Sequence, residues 1–542
     1  MDKEMIKRDR RGGEGRRRCT PEGVWAEYQR GINYNTEILL YERVERNENF
    51  FNGNQWIGLK APDIETPTLN FLERVVTYFI AMLVSDDVGI NIKSFKGGME
   101  ADIVDNVLQK EIERVIERTK AKTLHRDIIR DAAVDGDGFF FLRFDPNVET
   151  GQESLGEICI ETINNTDVIF GNPYDRNVQS QPYILIVQRR QVNSVKMEAR
   201  EDGNPEWDLI QADSAAYPTF EDAINDDLVT VITKLWFDKE TQSVHWCKCT
   251  ENVMLKDDID LGYKLYPIAM FNWKKVRNSY HGVPAITDGV IHNQIYVNTM
   301  WALFNIQTKK ATFPTIFYDR TKIDRWDNRA GAAIATVGSP DQSVAMNFKP
   351  ADFSRQAVEI VQMTIDYTKE FMGASDAALG NVKPENTSAI IAVQKASAVP
   401  LELQRLGFYQ FVEDYVRIII DMICTDYGLR ESIYAPEALD EETRTLVDFS
   451  LIKPDLLDLS IDIGSSAYFS ELTQIQTADN LFANGVIQDA ELYLESLPDK
   501  YIKNKDKIIE SIQAMKQQQM MQAMPQQAGG LSLAEVAAQM PI

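Results

Sequence analysis

The sequence predicts an α+β protein, mainly helical, with more than one packed unit. Three observations carry that expectation. The 542 residues exceed what one simple core organises. Long stretches with apolar residues at helical spacing flank a central block, about 139–273, in which the apolar residues fall in short runs between turn residues. The hydrophobic fraction of 44% and aromatic fraction of 10% are those of a chain that buries a core.

Residues 1–18 mix Lys and Arg with Gly and acids, show no apolar periodicity and read as a solvated arm; the apolar segment of a signal peptide is missing. A helix is expected after Thr20-Pro21-Glu22, where Thr20 can cap and Pro21 suits the first helical position. Trp25, Tyr28, Ile32, Ile38, Tyr41 and Val44 recur at helical spacing and predict a helix pair, followed by an aromatic-closed turn at Phe50–Trp56. A second apolar helix is expected over 70–85. A third amphipathic segment runs from Met99 to about Val134, carrying Ile103, Val107, Ile112, Val115 and Ile128.

Asp135-Gly136-Asp137-Gly138 stops that segment and reads as a helix-to-strand turn. A calcium loop would need ligands at alternate positions and a closing Glu at its twelfth, whereas this chain enters Phe139-Phe140-Phe141 directly. Strands are expected over 139–144, 157–162, 183–189, 230–238, 243–250 and 268–273, with an acidic exposed loop over 200–227. From Pro284 to Thr308 there is no further Pro and a single Gly, Gly289, so a helix on the order of 40 Å is expected. Asp288, His292, Asn293, Asn298 and Asn305 exclude a lipid-facing span there. A compact insert, 312–351, has short β runs at 315–318, 333–337 and 343–346, and a second long helix follows over about 353–372. Gly373 to Asn386 is rich in small residues, Gly and Pro and predicts a mobile loop. Another long helix is expected from Thr387 to about Tyr427, kinked at Pro400. An edge-like strand at 457–463, helices over about 470–484 and 487–514, and a Gln- and Met-rich tail complete the reading.

The charge narrows the function. With 57 Lys and Arg against 82 Asp and Glu, the net charge is 57 − 82 = −25, which excludes a general DNA clamp that works by neutralising phosphates. The five cysteines are too sparse for a disulfide scaffold and fit synthesis in a reducing compartment. The apolar run Val75 to Val84 is about half the roughly 20 residues that a membrane helix needs, so a soluble chain with no membrane partner is expected. No G-x-x-x-x-G-K-[ST], H-E-x-x-H or G-x-S-x-G occurs, so neither an ATPase nor another catalytic centre is expected, and no cofactor. In His245-Trp246-Cys247-Lys248-Cys249, strand periodicity puts His245, Cys247 and Cys249 on one face. Zinc wants four tetrahedral ligands and no second pair lies nearby, so these read as half-buried strand residues.

The order of elements, and local residues within it, resemble the portal (head–tail connector) family of tailed double-stranded DNA bacteriophages. The resemblance rests on Asn47 to Trp56, similar to the family's N-x-x-F-y-x-G-x-Q-W segment, on Thr68-Leu69-Asn70, on Asp131 to Phe140, on Gly373 to Asn381, and on Asn386-Thr387-Ser388-Ala389. It spans about residues 40–480. It implies a portal fold with an α/β wing (24–283, after an arm of 1–23), a first stem helix (284–311), a small α/β clip (312–351) and a second stem helix (352–372). A tunnel loop (373–387), a long helix with a returning wing strand (388–470), helical crown (471–516) and flexible tail (517–542) follow.

The function so implied is a ring at one capsid vertex, of twelve subunits, assembled in the bacterial cytoplasm and retained in the virion. Double-stranded DNA passes through it during packaging and ejection, and it docks the large terminase and the head–tail adaptor beside the major capsid and scaffolding proteins. Ser375, Asp376, Asn381, Lys383, Glu385 and Asn386 become tunnel-loop residues; Arg320, Lys322 and Arg325 become clip residues facing motor or adaptor. The alternatives are a packaging-associated, metal-dependent nuclease or hydrolase and the portal of a gene-transfer particle.

Overall fold

A computed structural model describes residues 19–60, 64–84, 88–94, 99–149, 154–214, 227–312, 315–327, 334–338, 344–348, 354–374, 399–433, 444–452 and 457–463, with Phe482 and Leu494. The chain divides into two compact units, residues 1–85 with 90–462 and residues 86–89 with 463–542, and nearly all described residues belong to the first. The class is α+β: helices join small sheets, and the strand pairs within the two larger sheets are antiparallel.

The start follows local chemistry. Helix α1 spans Pro21–Glu37; Thr20 accepts from the Gly23 amide at 3.1 Å and Pro21 takes the first helical position. Helix α2 (Leu40–Phe51) is a separate helix because Leu39 adopts φ 55°, a left-handed turn that no straight helix passes through. Helix α3 spans Phe71–Val84, and strand β1 Val88–Ser94. The segment expected from Met99 to Val134 is broken into α4 (Met99–Arg118) and α5 (Ala121–Asp135), because Lys120 turns left-handed at φ 52°. At its end Gly136, φ 110°, caps α5, and strand β2 (Asp137–Glu149) starts at the next residue, as the Asp-Gly-Asp-Gly signal predicts.

Two sheets follow. Strands β3 (Leu155–Ile163), β4 (Val168–Phe170) and β5 (Ile184–Gln191) precede helix α6 (Val192–Glu201). Strands β6 (Leu228–Asp238), β7 (Ser243–Cys249), β8 (Met254–Asp260) and β9 (Ile268–Asn272) come after it. One sheet is ordered β3-β2-β9 and the other β4-β5-β6-β7-β8. The Lys239–Gln242 turn does join a hairpin, with Asp238 opposite Ser243. Strands β4 and β8 and helix α6 carry no period strong enough to announce themselves. Of the acidic loop expected over 200–227, residues 215–226 lie outside the described residues.

Helix α7 spans Asp288–Thr312, strand β10 Thr315–Tyr318, strand β11 Ala345–Phe348 and helix α8 Arg355–Met372. After a 3₁₀ turn at Val399–Leu401, which holds Pro400, helix α9 spans Glu402–Met422 and continues as a π turn to Tyr427. Strands β12 (Leu429–Ile433), β13 (Arg444–Asp448) and β14 (Leu457–Ile463) follow. Of the helices expected over 470–484 and 487–514, only Phe482 and Leu494 are among the described residues, and both are helical.

The core sits on both sides of β2. Phe139 meets Phe170 of the five-stranded sheet edge to face at 6.1 Å, while its neighbour Phe140 packs on Phe411 and Tyr415 of α9 at 5.0 and 5.6 Å. Alternation along the strand thus sends successive phenylalanines into different layers. His125 of α5 joins that aromatic group, with Nε2 3.1 Å from the Tyr415 hydroxyl, and burial pulls its pKa down to about 4. Each such aromatic pair adds about 0.5–1.5 kcal/mol beyond area burial. Helix α1 covers the other face of the second sheet, setting Val24 and Tyr28 on Leu185, Val187, Ile232 and Cys247.

Candidate functional site

The feature with the clearest functional content is the long hairpin from α7 to α8. The two helices run antiparallel: Asn293, near the start of α7, donates to Thr368 Oγ1, near the end of α8, at 2.9 Å. Ser354 caps α8 by accepting from the Gln356 amide at 3.2 Å, and Gly373 ends it in the left-handed conformation at φ 88°. At the far end β10 and β11 pair antiparallel, Thr315 opposite Phe348 and Tyr318 opposite Ala345.

The polarity of α7 is partly inverted. Its buried stripe contains Gln294 and Asn298 beside Ile291 and Val297, whereas Ile295, Tyr296, Trp301 and Leu303 are exposed. On α8 only Val361 and Thr368 are buried; Val358, Ile360, Met363, Tyr367 and Phe371 are at least half exposed or nearly so, Phe371 at 88%. The insert continues the pattern with exposed Phe317, Val337 and Met346. Large apolar side chains gathered on one projecting element are what an interaction surface presents.

The buried amides of α7 have partners of their own. Asn298 donates to Gln55 Oε1 at 2.5 Å and accepts from the Leu69 amide at 3.1 Å, while Gln294 donates to the Leu69 carbonyl at 2.7 Å. Gln55 also donates to Asn70 Oδ1 at 3.1 Å, and Asn70 donates to the Phe51 carbonyl at 2.8 Å. Trp56 donates through its indole to the Pro67 carbonyl at 3.1 Å. The Asn47–Trp56 and Thr68–Asn70 segments, far apart from α7 in sequence, therefore form one amide knot on it.

The base of the hairpin is held by a second polar network. The Asp137 carboxylate, 1% exposed, accepts from Asn272 at 2.6 Å and from the Gly282 amide at 2.5 Å, and shares a hydrogen bond of 2.7 Å with His281 Nδ1. Asn47 donates to the carbonyls of Val134 and Ile286 at 2.7 and 3.2 Å, tying α2 to α5 and to the entry of α7. Gly136 and Gly282 pass back to back, and a Cβ on either would lie 2.7 Å from the other's carbonyl oxygen. Beside them Arg130 pairs with Glu48 and Asp131, and Arg46 with Asp288 at the start of α7. Burial, reinforced by the negative charges of Glu48 and Asp131, pushes the Asp135 carboxyl up to about 9.

The predicted clip residues Arg320, Lys322 and Arg325 come together in the turn after β10. Arg320 and Arg325 are exposed and Lys322 is half-buried, its carbonyl accepting from the Val337 amide at 2.9 Å. The turn is ordered by the Asp319 carboxylate, which accepts from the Thr321 amide and hydroxyl at 2.9 and 2.6 Å, by buried Ile323, and by Tyr318 stacked on Trp326. The run expected as a strand over 333–337 is not one: residues 334–337 make no ladder, and Val337 closes the turn instead. The third run falls at β11, two residues later than expected. The tunnel-loop residues Ser375, Asp376, Asn381, Lys383, Glu385 and Asn386 lie outside the described residues.

His245, Cys247 and Cys249 do share a face of β7. His245 is hydrogen-bonded to Asp258 at 2.6 Å and to Thr241 at 2.9 Å, and the two cysteines are part of the α1-covered core. Among the described residues no cluster of three His, Cys, Asp or Glu side chains has the geometry of a metal site, and no helix is long and apolar enough to cross a membrane. Sequence reasoning missed the two polar networks. The Gln294 and Asn298 pair, four apart on an otherwise apolar stripe, was the available signal for one; the Asp137–His281 pairing, across 144 residues, left none. The sequence matches no protein-family model and no curated protein.

Proposed function

We propose that this chain is one subunit of a closed ring that conducts double-stranded DNA through the shell of a tailed-phage-type particle, a portal. The observation that carries the reading is the α7–α8 hairpin, whose inward face is fastened by amides and whose outward faces carry Trp301, Leu303, Met363, Tyr367 and Phe371. A monomer gains nothing from that arrangement, whereas a subunit that meets its neighbour through two different faces closes into a ring and buries it. In this reading α7 and α8 are the stem, the β10–β11 insert is the clip that meets a packaging motor and later a tail adaptor, and the two sheets with α1 to α6 and α9 are the wing. The net charge of −25 per chain fits a conduit that DNA slides through rather than a clamp that holds it. Acids lining such a channel keep phosphates from sticking, so their replacement by Lys is expected to slow packaging.

The test is electron microscopy of the purified protein with mass determination on the same sample. Rings of about a dozen subunits, with a central hole wide enough for a duplex, roughly 20 Å or more, are expected. A compact monomer or dimer under all conditions, capsid components included, overturns the reading.

A further inference from the structure

Cys19 stands one residue before the cap of α1, in neither helix nor strand, and packs against the core patch that contains Cys247 and Cys249. Its thiol interacts directly with that of Cys247, and no disulfide joins them. The two partners differ in what holds them. Cys247 is wholly buried on β7, an interior strand of the five-stranded sheet, with Lys234 opposite it on β6, whereas Cys19 is half-buried and belongs to no helix or strand. Bond formation can therefore be met by movement of Cys19 alone, which matters because a disulfide tolerates only a narrow range of Cβ separations.

We propose that Cys19 and Cys247 are a reversible disulfide site that staples the start of α1 to the central sheet when the protein leaves a reducing environment. Their chemistry divides the labour. Cys19 is the more accessible of the two, so it meets the oxidant and supplies the attacking thiolate, which the hydrogen bond from Cys247 and the nearby Lys234 ammonium favour against the opposing effect of burial. The same hydrogen bond, with burial, raises Cys247. With a low-molecular-weight disulfide as oxidant, Cys19 S⁻ attacks one sulfur and expels the first thiolate. Cys247 then gives up its proton to water and displaces the second, forming the S–S bond. Two protein thiols are oxidised and one disulfide is reduced to two thiols. Cys249, two residues along the same face and pushed up to about 12 chiefly by burial, makes no such contact with Cys19 and is a bystander.

The experiment equilibrates the purified full-length protein with oxidised glutathione, blocks remaining thiols, and counts and maps them without reduction. Five free thiols before oxidation should become 5 − 2 = 3, with one peptide pair joining Cys19 to Cys247 and an upward shift of the thermal midpoint that reductant reverses. C249S should still lose two thiols, 4 − 2 = 2, with the same joined peptide pair, and C19S should keep all four of its remaining thiols. C19S sits at the outer flank and tests the site without opening the core, as C247S would. Persistence of five thiols, a glutathione adduct alone on Cys19, or a link from Cys19 to Cys249 would each overturn the proposal.

Discussion

The two-sheet body and the α7–α8 hairpin belong to one chain but are stabilised by opposite means. In the body, Phe139, Phe140, Phe271, Phe408 and Phe411 are all within 2% of full burial, and polar groups such as Asp137 are saturated with partners. In the hairpin, amides share the buried stripe with a few aliphatic residues, while most of the large aromatic and aliphatic side chains are outside. The body carries its own free energy of folding. The hairpin leaves much of its apolar surface exposed, and under the proposed ring that surface is what a neighbouring subunit would bury.

That contrast can be broken by substitution, beginning with the body. Asp137→Ala leaves His281, Asn272 and the Gly282 amide without their buried acceptor, and should cost about 3–5 kcal/mol in urea unfolding of the dissociated subunit. A loss under 1 kcal/mol would mean that the network is ornamental. Asn298→Ala, at the seam between body and hairpin, strands Gln55 and the Leu69 amide and should cost about 1–3 kcal/mol.

Asp135 works in the other direction. Its folded pKa of about 9 lies above the ordinary 3.8, so the folded state binds a proton that the unfolded state has released, and stability falls as pH rises from 3.8 towards 9. Asp135→Asn should remove that slope and raise stability at neutral pH by roughly 1–3 kcal/mol, read from unfolding midpoints across pH. An unchanged slope would place the proton elsewhere. Smallest in stability is Phe371→Ser on the exposed flank of α8, where a change within about 0.5 kcal/mol is expected for the subunit alone. If the proposed ring forms, sedimentation should nevertheless show its loss in this variant. If this variant unfolds the subunit, the hairpin has a core of its own and the comparison fails.

The sequence was legible where a local rule operates. Thr20-Pro21, Gly136 after α5, the two hairpin helices and the β10 run all depend on residues within a few positions of one another. It was misleading where apolar period continued through a left-handed residue: nothing in Leu39 or Lys120 marks them as turns, and both are exposed with a buried residue, Leu40 or Ala121, directly after them. The start of α7 moved from Pro284 to Asp288 because Ala285 donates to the Ala133 carbonyl instead of entering a helix. The amide knot was half visible, since Asn298 stood out as too polar for a lipid-facing helix, but its partners Gln55 and Leu69 lie more than 220 residues away. Distance in sequence, not subtlety of chemistry, hid the rest.

The back-to-back crossing of Gly136 and Gly282 has a mechanical meaning. With no space for even a methyl group between the two backbones, the joint where the hairpin leaves the body has no play. A close-packed interior with low compressibility passes a load on instead of absorbing it. A push along the axis of α7 is therefore delivered to β2 and the aromatic layers on either side of it, as a lever seated in a bearing without clearance turns its mount. Alanine at either glycine would introduce slack by forcing the seat apart, and a second alanine at the other could not restore it.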